Sequence, residues 1–99
     1  MSMSYAQKLK SIRAAEGLTQ KQLSELTGVS LGMIKNYESE QHPAGVQTVE
    51  KVIQVERFEK YTLWLMTGKT APAAGQVSPP LSPDGQDKIK SRPSDQKTG

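Results

Sequence analysis

Chemistry in this chain is confined to a short inventory. Its 99 residues contain no cysteine and one histidine. Disulfides, thiolate metal sites and thiol catalysis are therefore excluded. His42 lies in the loop Glu40-Gln41-His42-Pro43-Ala44-Gly45 without a second histidine. It is expected to be neither a metal ligand nor a catalytic base. Glu38 and Glu40 form no acid–base pair with an evident pocket, and are expected to be solvated charges at a helix end. No nucleophile–base constellation exists, which points away from an enzyme, a cofactor or a small-molecule ligand. What remains is recognition chemistry. Lys35 can donate to guanine or to a phosphate. Asn36 can donate and accept at once, the pattern that matches adenine in the major groove of DNA. The plainer alternatives are a solvated lysine and an asparagine bonded locally at a helix end.

Holding such groups requires helices. Ser4-Tyr5-Ala6-Gln7 reads as a capping box, and Tyr5, Leu9 and Ile12 then follow on one helical face up to a stop at Gly17. Thr19-Gln20-Lys21-Gln22 is a second capping box. Leu23 and Leu26 are the expected buried positions of that short helix, Gly28 ends it, and Val29 is expected to plug the corner. Ser30 is an N-cap for a third helix over Leu31–Glu38, with Ile34 and Tyr37 facing inward. A fourth helix begins near Val46, with Val49, Val52 and Ile53 inside. After a break near Val55–Arg57, a fifth carries Phe58, Tyr61, Trp64 and Leu65 and stops at Gly68.

The predicted domain spans residues 1–68, with its motif at 19–38. Five of the six prolines fall after Gly68, and residues 69–99 read as a Pro/Gly/Ser-rich tail unable to bury enough apolar area to order itself. No apolar run suits a membrane span, and the first residues lack a signal-peptide pattern, so a cytoplasmic protein is expected. The net charge is +3 overall. Residues 1–68 hold eight Lys/Arg against seven Asp/Glu, so they are nearly neutral. Bulk charge therefore carries little of the case for a nucleic-acid partner. Pattern carries it. Two short helices joined by a glycine turn need buried aliphatics, a residue tolerant of positive φ, and an apolar plug. Leu23, Leu26, Gly28, Val29, Ile34 and Tyr37 meet that description together. Steering cations are then expected from Lys8, Lys10, Arg13 and Lys21.

The run Thr19-Gln20-Lys21-Gln22-Leu23-Ser24-Glu25-Leu26-Thr27-Gly28-Val29-Ser30, followed by Ile34 and Tyr37-Glu38, resembles the Cro/C1-type helix-turn-helix family. More narrowly, Lys60–Thr67, Ala71–Gln76 and Gln96–Gly99 resemble the small C immunity repressors of Peduovirus-type temperate phages. The resemblance implies an all-α, five-helix, lambda-repressor-like domain with a flexible C-terminal tail. It implies a homodimeric repressor that binds an operator of repeated half-sites, blocks an early phage promoter and maintains lysogeny. Carried over by position, Leu31, Gly32, Lys35 and Asn36 reach base edges. Gln20, Lys21, Ser30 and Met33 touch or brace against the backbone. Leu31 and Gly32 depart from the amides common there. Leu31 has only apolar contact with thymine methyls to offer, unless it shares the inward face of Ile34. Gly32 suggests a close approach of the helix to DNA.

Phe58, Tyr61, Trp64 and Leu65 are expected to supply a dimer interface as well as core. Residues around Ala74–Leu81 either add a short strand to that interface or stay free. Ala74-Gly75 is a dipeptide at which longer phage repressors are cleaved, but the residues after it are too few to build a peptidase domain. Two rival readings share the fold. One is an antitoxin that represses its own promoter. The other is a protein-interaction module without DNA contacts, to which the near-neutral domain and apolar Leu31 lend some weight.

Overall fold

Reciprocal caps set where the chain first turns helical. Ser4 Oγ accepts from the Gln7 amide while Gln7 Oε1 accepts from the Ser4 amide, and Thr19 and Gln22 repeat the exchange. The structure, a computed structural model, describes residues 3–80. Five α-helices follow in order: α1 Tyr5–Ala15, α2 Gln20–Thr27, α3 Leu31–Glu38, α4 Val46–Ile53 and α5 Thr62–Thr67. A 3₁₀ segment, Glu56–Tyr61, leads into α5, and a second, Pro72–Ala74, follows it. The architecture among the described residues is all-α, as the spacing predicts.

α1 lies against both α3 and α5, α2 packs on α3, and α4 packs on Glu56–Tyr61. Leu9, Ile12, Leu23, Ile34, Tyr37, Val49, Val52, Phe58 and Leu65 are buried to within 2% at the centre. Each such side chain contributes roughly 1.5–3 kcal/mol through lost apolar surface. Gly28 closes α2 at φ 82°, a left-handed conformation that side-chain-bearing residues adopt at a cost. The polar neighbours stitch this turn. Ser24 Oγ donates to the Val29 carbonyl at 2.6 Å, and Thr27 Oγ1 accepts from the Val29 amide at 3.1 Å.

Three expectations need correction here. Leu26 is 43% exposed. Leu26 lies about 60° round α2 from Leu23, and the face of α2 that its neighbours cover is too narrow to include it, so Leu23 takes the core alone. Phe58, Tyr61 and Leu65 are sealed inside the protomer at 0%, 3% and 0% exposure, leaving no surface for a partner. Of the predicted interface residues only Trp64 keeps partial exposure. The domain also runs past Gly68. Gln76 Oε1 accepts from the Leu63 amide at 2.9 Å, capping the start of α5, and Gln76 Nε2 donates to the Glu59 carbonyl at 3.1 Å. Val77 donates its amide to the Lys60 carbonyl, and Pro79 is buried. Of the two alternatives for Ala74–Leu81, a short strand at an interface or a free segment, the described residues show neither as such: they hold an isolated Ala71–Gln76 bridge within one protomer. Leu81 and the rest of the predicted tail lie outside the described residues.

A polar knot ties the end of α1 to the 3₁₀ segment. Glu16 accepts from Tyr61 Oη at 2.7 Å and Arg57 Nε at 2.9 Å, and pairs with Lys60 Nζ at 3.3 Å. Burial opposes ionisation of Glu16, yet the bonds from Tyr61, Arg57 and Lys60 outweigh it and hold its carboxyl below the ordinary 4.5. A depressed carboxyl stabilises the fold above its unfolded value, and that share is lost as pH falls through the lower folded value. Glu16→Gln is therefore expected to flatten the acid limb of stability below about pH 4.5. Melting temperatures across that range test it. Parallel curves for the variant and the parent protein refute it.

Candidate nucleic-acid interface

The surface in question is the outer face of α3, and its inner face sets the orientation. Ile34 and Tyr37 are 0% and 1% exposed. Burial, followed by the neighbouring Glu38 charge, pushes the Tyr37 phenol upward, so it stays neutral. With those positions pinned, Gly32, Met33 and Lys35 are exposed, and Leu31 and Asn36 half-buried. Leu31 thus retains surface beside Gly32 and does not join the sealed core.

The predicted side chains are available to a ligand to different degrees. The Asn36 side-chain amide makes no hydrogen bond to any described residue. The helix-end bonds at this position use its backbone carbonyl, which accepts from the Gln41 amide at 2.9 Å and from Ser39 Oγ at 3.2 Å. Lys35 and Lys21 are exposed. Ser30 Oγ accepts from the Met33 amide at 3.1 Å, which caps α3 and leaves the hydroxyl hydrogen to donate elsewhere. Met33 is 43% exposed.

Gln20 lies between α2 and α3. Its Nε2 donates to Glu38 Oε1 at 3.0 Å, which bridges the first turn of α2 to the last residue of α3. The same carboxylate receives Arg13 in bidentate fashion, Nε to Oε2 at 2.7 Å and Nη2 to Oε1 at 2.8 Å. Arg13 Nη1 adds a bond to the Leu18 carbonyl at 2.8 Å. Glu38 is therefore no solvated charge. Its side chain is 4% exposed, and it joins three helices where α3 ends. Donating its hydrogen bonds to Glu38 raises the Arg13 value against the opposing effect of burial. This residue was missed because its partner is 25 positions away. Only a prior placement of α1 against α3 could have paired them.

The steering set shrinks in the same way. Arg13 is committed to Glu38. Lys8 is only 8% exposed, and its ammonium donates to the Leu65 carbonyl at 3.2 Å and the Trp64 carbonyl at 3.3 Å. The Trp64 carbonyl also accepts from the Gly68 amide at 2.7 Å, and both carbonyls lie toward the C-terminal end of α5, where a cation interacts favourably with the helix dipole. Lys10 and Lys21 remain exposed.

Residues 9–55, from α1 to just past α4, match the helix-turn-helix family. The chain is 39% identical over 99 residues to Repressor protein C of Escherichia phage P2, spanning 100% of both proteins. The chain belongs to the helix-turn-helix family. The Cro/C1-type resemblance carried by Thr19–Ser30 thus extends through the α5 end as well. Within this helix-turn-helix protein, α2, Gly28 and α3 are the matched motif, and α1 and α4 are its support. No helix among the described residues is long and apolar enough to cross a membrane.

Proposed function

We propose that this protein is a sequence-specific DNA-binding repressor of transcription. It binds an operator of repeated half-sites as a homodimer, blocks an early phage promoter and so maintains lysogeny, in the host cytoplasm. The observation that carries this reading is the two-sided character of α3. Ile34 and Tyr37 lock one face into the core while Leu31, Gly32, Lys35 and Asn36 stand along the other. A helix held this way by a preceding capped helix fits the major groove, which is about 12 Å wide. The whole-length likeness to a phage repressor supports the same reading.

In this reading Asn36 pairs with a base, most suitably adenine, and Lys35 donates to guanine or phosphate. Gln20, Lys21, Ser30 and Met33 hold the register on the backbone. Gln20 acts chiefly through Glu38. One recognition helix buries only about 600–1,000 Å² on DNA, which gives modest discrimination, and two linked helices multiply it. The α5 end joins the protomers, where Trp64 keeps surface and Met66 is 44% exposed. Repression is by occlusion, without a cofactor or a chemical step.

Selection of bound fragments from random DNA at two salt concentrations tests the reading, with Asn36→Ala in parallel. A repeated motif is expected. The variant is expected to lose about 1–3 kcal/mol of discrimination at one base pair while its melting temperature stays near that of the parent. Weak, salt-sensitive binding without sequence preference refutes the proposal and favours the interaction-module reading.

A further inference from the structure

Gly32 stands where the protomer has no use for a glycine. It is the second residue of α3, and its φ is not in the left-handed region. A Cβ built there meets nothing within 4 Å. Alanine fits the space and is the better helix former. The missing methyl must therefore serve something outside the chain.

Its neighbours narrow what that is. Leu31 has no hydrogen-bonding side chain, and Met33 offers only a weakly accepting sulfur. Ser30 precedes the helix as its N-cap, and the hydroxyl hydrogen left over from its bond with the Met33 amide goes to the phosphate backbone in the DNA-binding reading. The first strongly hydrogen-bonding side chains on the outer face are Lys35 and Asn36, about one turn further on. The leading half of this helix thus carries no side chain able to read a base edge by hydrogen bonds. A recognition helix presents its N-terminal residues to the base edges. One feature of the major groove is read by apolar contact alone, the C5-methyl of thymine.

We infer that α3 seats flush in the groove at Gly32, with Leu31 and the bare Gly32 backbone packed on thymine methyl groups. The half-site is therefore thymine-bearing beneath the start of α3, and its hydrogen-bonded positions lie one turn away under Lys35 and Asn36. This rests on the DNA-binding reading above and specifies its ligand. It also sets two quantities in opposition. Gly32→Ala stabilises the free protein and weakens the complex, because the added methyl occupies the space of the closest approach.

The probe is a duplex selected by this protein from random DNA, resynthesised with deoxyuridine in place of thymidine one position at a time. Each such change removes a methyl and keeps every hydrogen-bonding group. Affinity is expected to fall about three- to fivefold at thymines beneath Leu31 and Gly32. In Leu31→Ala the same replacements are expected to have little further effect, a non-additive result that a structural role for Leu31 would not produce. Gly32→Ala is expected to melt about 4 °C or more above the parent protein. It is expected to bind the selected duplex about tenfold or more weakly. Indifference to uracil throughout, or parental affinity in Gly32→Ala, overturns the inference. If Asn36→Ala still loses discrimination in that case, the repressor reading stands. If no preferred duplex is recovered, both fall.

Discussion

Phe58→Ala is expected to remove about 3–5 kcal/mol of stability. The ring is 0% exposed and belongs to the cluster that holds Tyr61, Leu65 and Val52. Truncation leaves a cavity that the surrounding 3₁₀ segment and helices cannot fill without losing their own contacts. Against a total of about 5–15 kcal/mol for a domain, this brings the protein close to its unfolding threshold. The melting temperature is expected to drop by about 12 °C or more. Thermal unfolding followed by circular dichroism over a range of protein concentrations checks this. A core residue lowers the melting point equally at every concentration. An interface residue instead steepens its dependence on concentration, because dissociation precedes unfolding. A variant that folds like the parent but dissociates more readily would return Phe58 to the dimer interface.

Glu38→Ala is expected to cost about 2–4 kcal/mol. Glu38 is the acceptor for two Arg13 bonds and one Gln20 bond, and its side chain is 4% exposed against 19% for Arg13. Removing it strands a half-buried guanidinium, which is worse than losing an attraction. The partial exposure of Arg13 keeps the figure below that of a fully buried pair. Replacing both partners by apolar residues of similar volume, Arg13→Met with Glu38→Leu, is expected to be milder than the single change. Circular-dichroism melting of the single and double variants decides it. A single variant that melts within about 2 °C of the parent would show the pair to be energetically idle. Because Glu38 anchors Gln20 and the end of α3 together, the surviving folded fraction of Glu38→Ala should also bind DNA less tightly.

Much of the architecture was legible because its causes are local. Ser4 with Gln7, and Thr19 with Gln22, are capping partners three residues apart, close enough to be paired by eye. Glycines at the ends of α2 and α5 take positive φ where the apolar period stops. Ile34 and Tyr37 share one face by spacing alone, and that fixes which residues of α3 remain outside. The candidate interface was therefore legible in outline. Leu26 shows the limit of the same argument, since periodicity names a stripe but not how wide a stripe the neighbouring helix covers.

Helix starts and stops, the motif and the outward face of α3 all depend on residues within about one or two turns of each other, so they can be read along the chain. Which charges are spent depends instead on contacts between distant parts of the chain, and the packed fold sets it. Arg13 reaches Glu38 across 25 positions, Glu16 reaches Tyr61 across 45, and Lys8 reaches Leu65 across 57. The packed fold also turns Phe58, Tyr61 and Leu65 toward their own core, and brings Gln76 to cap α5 from a stretch whose composition reads as linker. The physical reason is common to these cases. A salt bridge, a buried ring or a remote cap depends on which helix faces meet, and that arises from packing the whole set of amphipathic stripes at once.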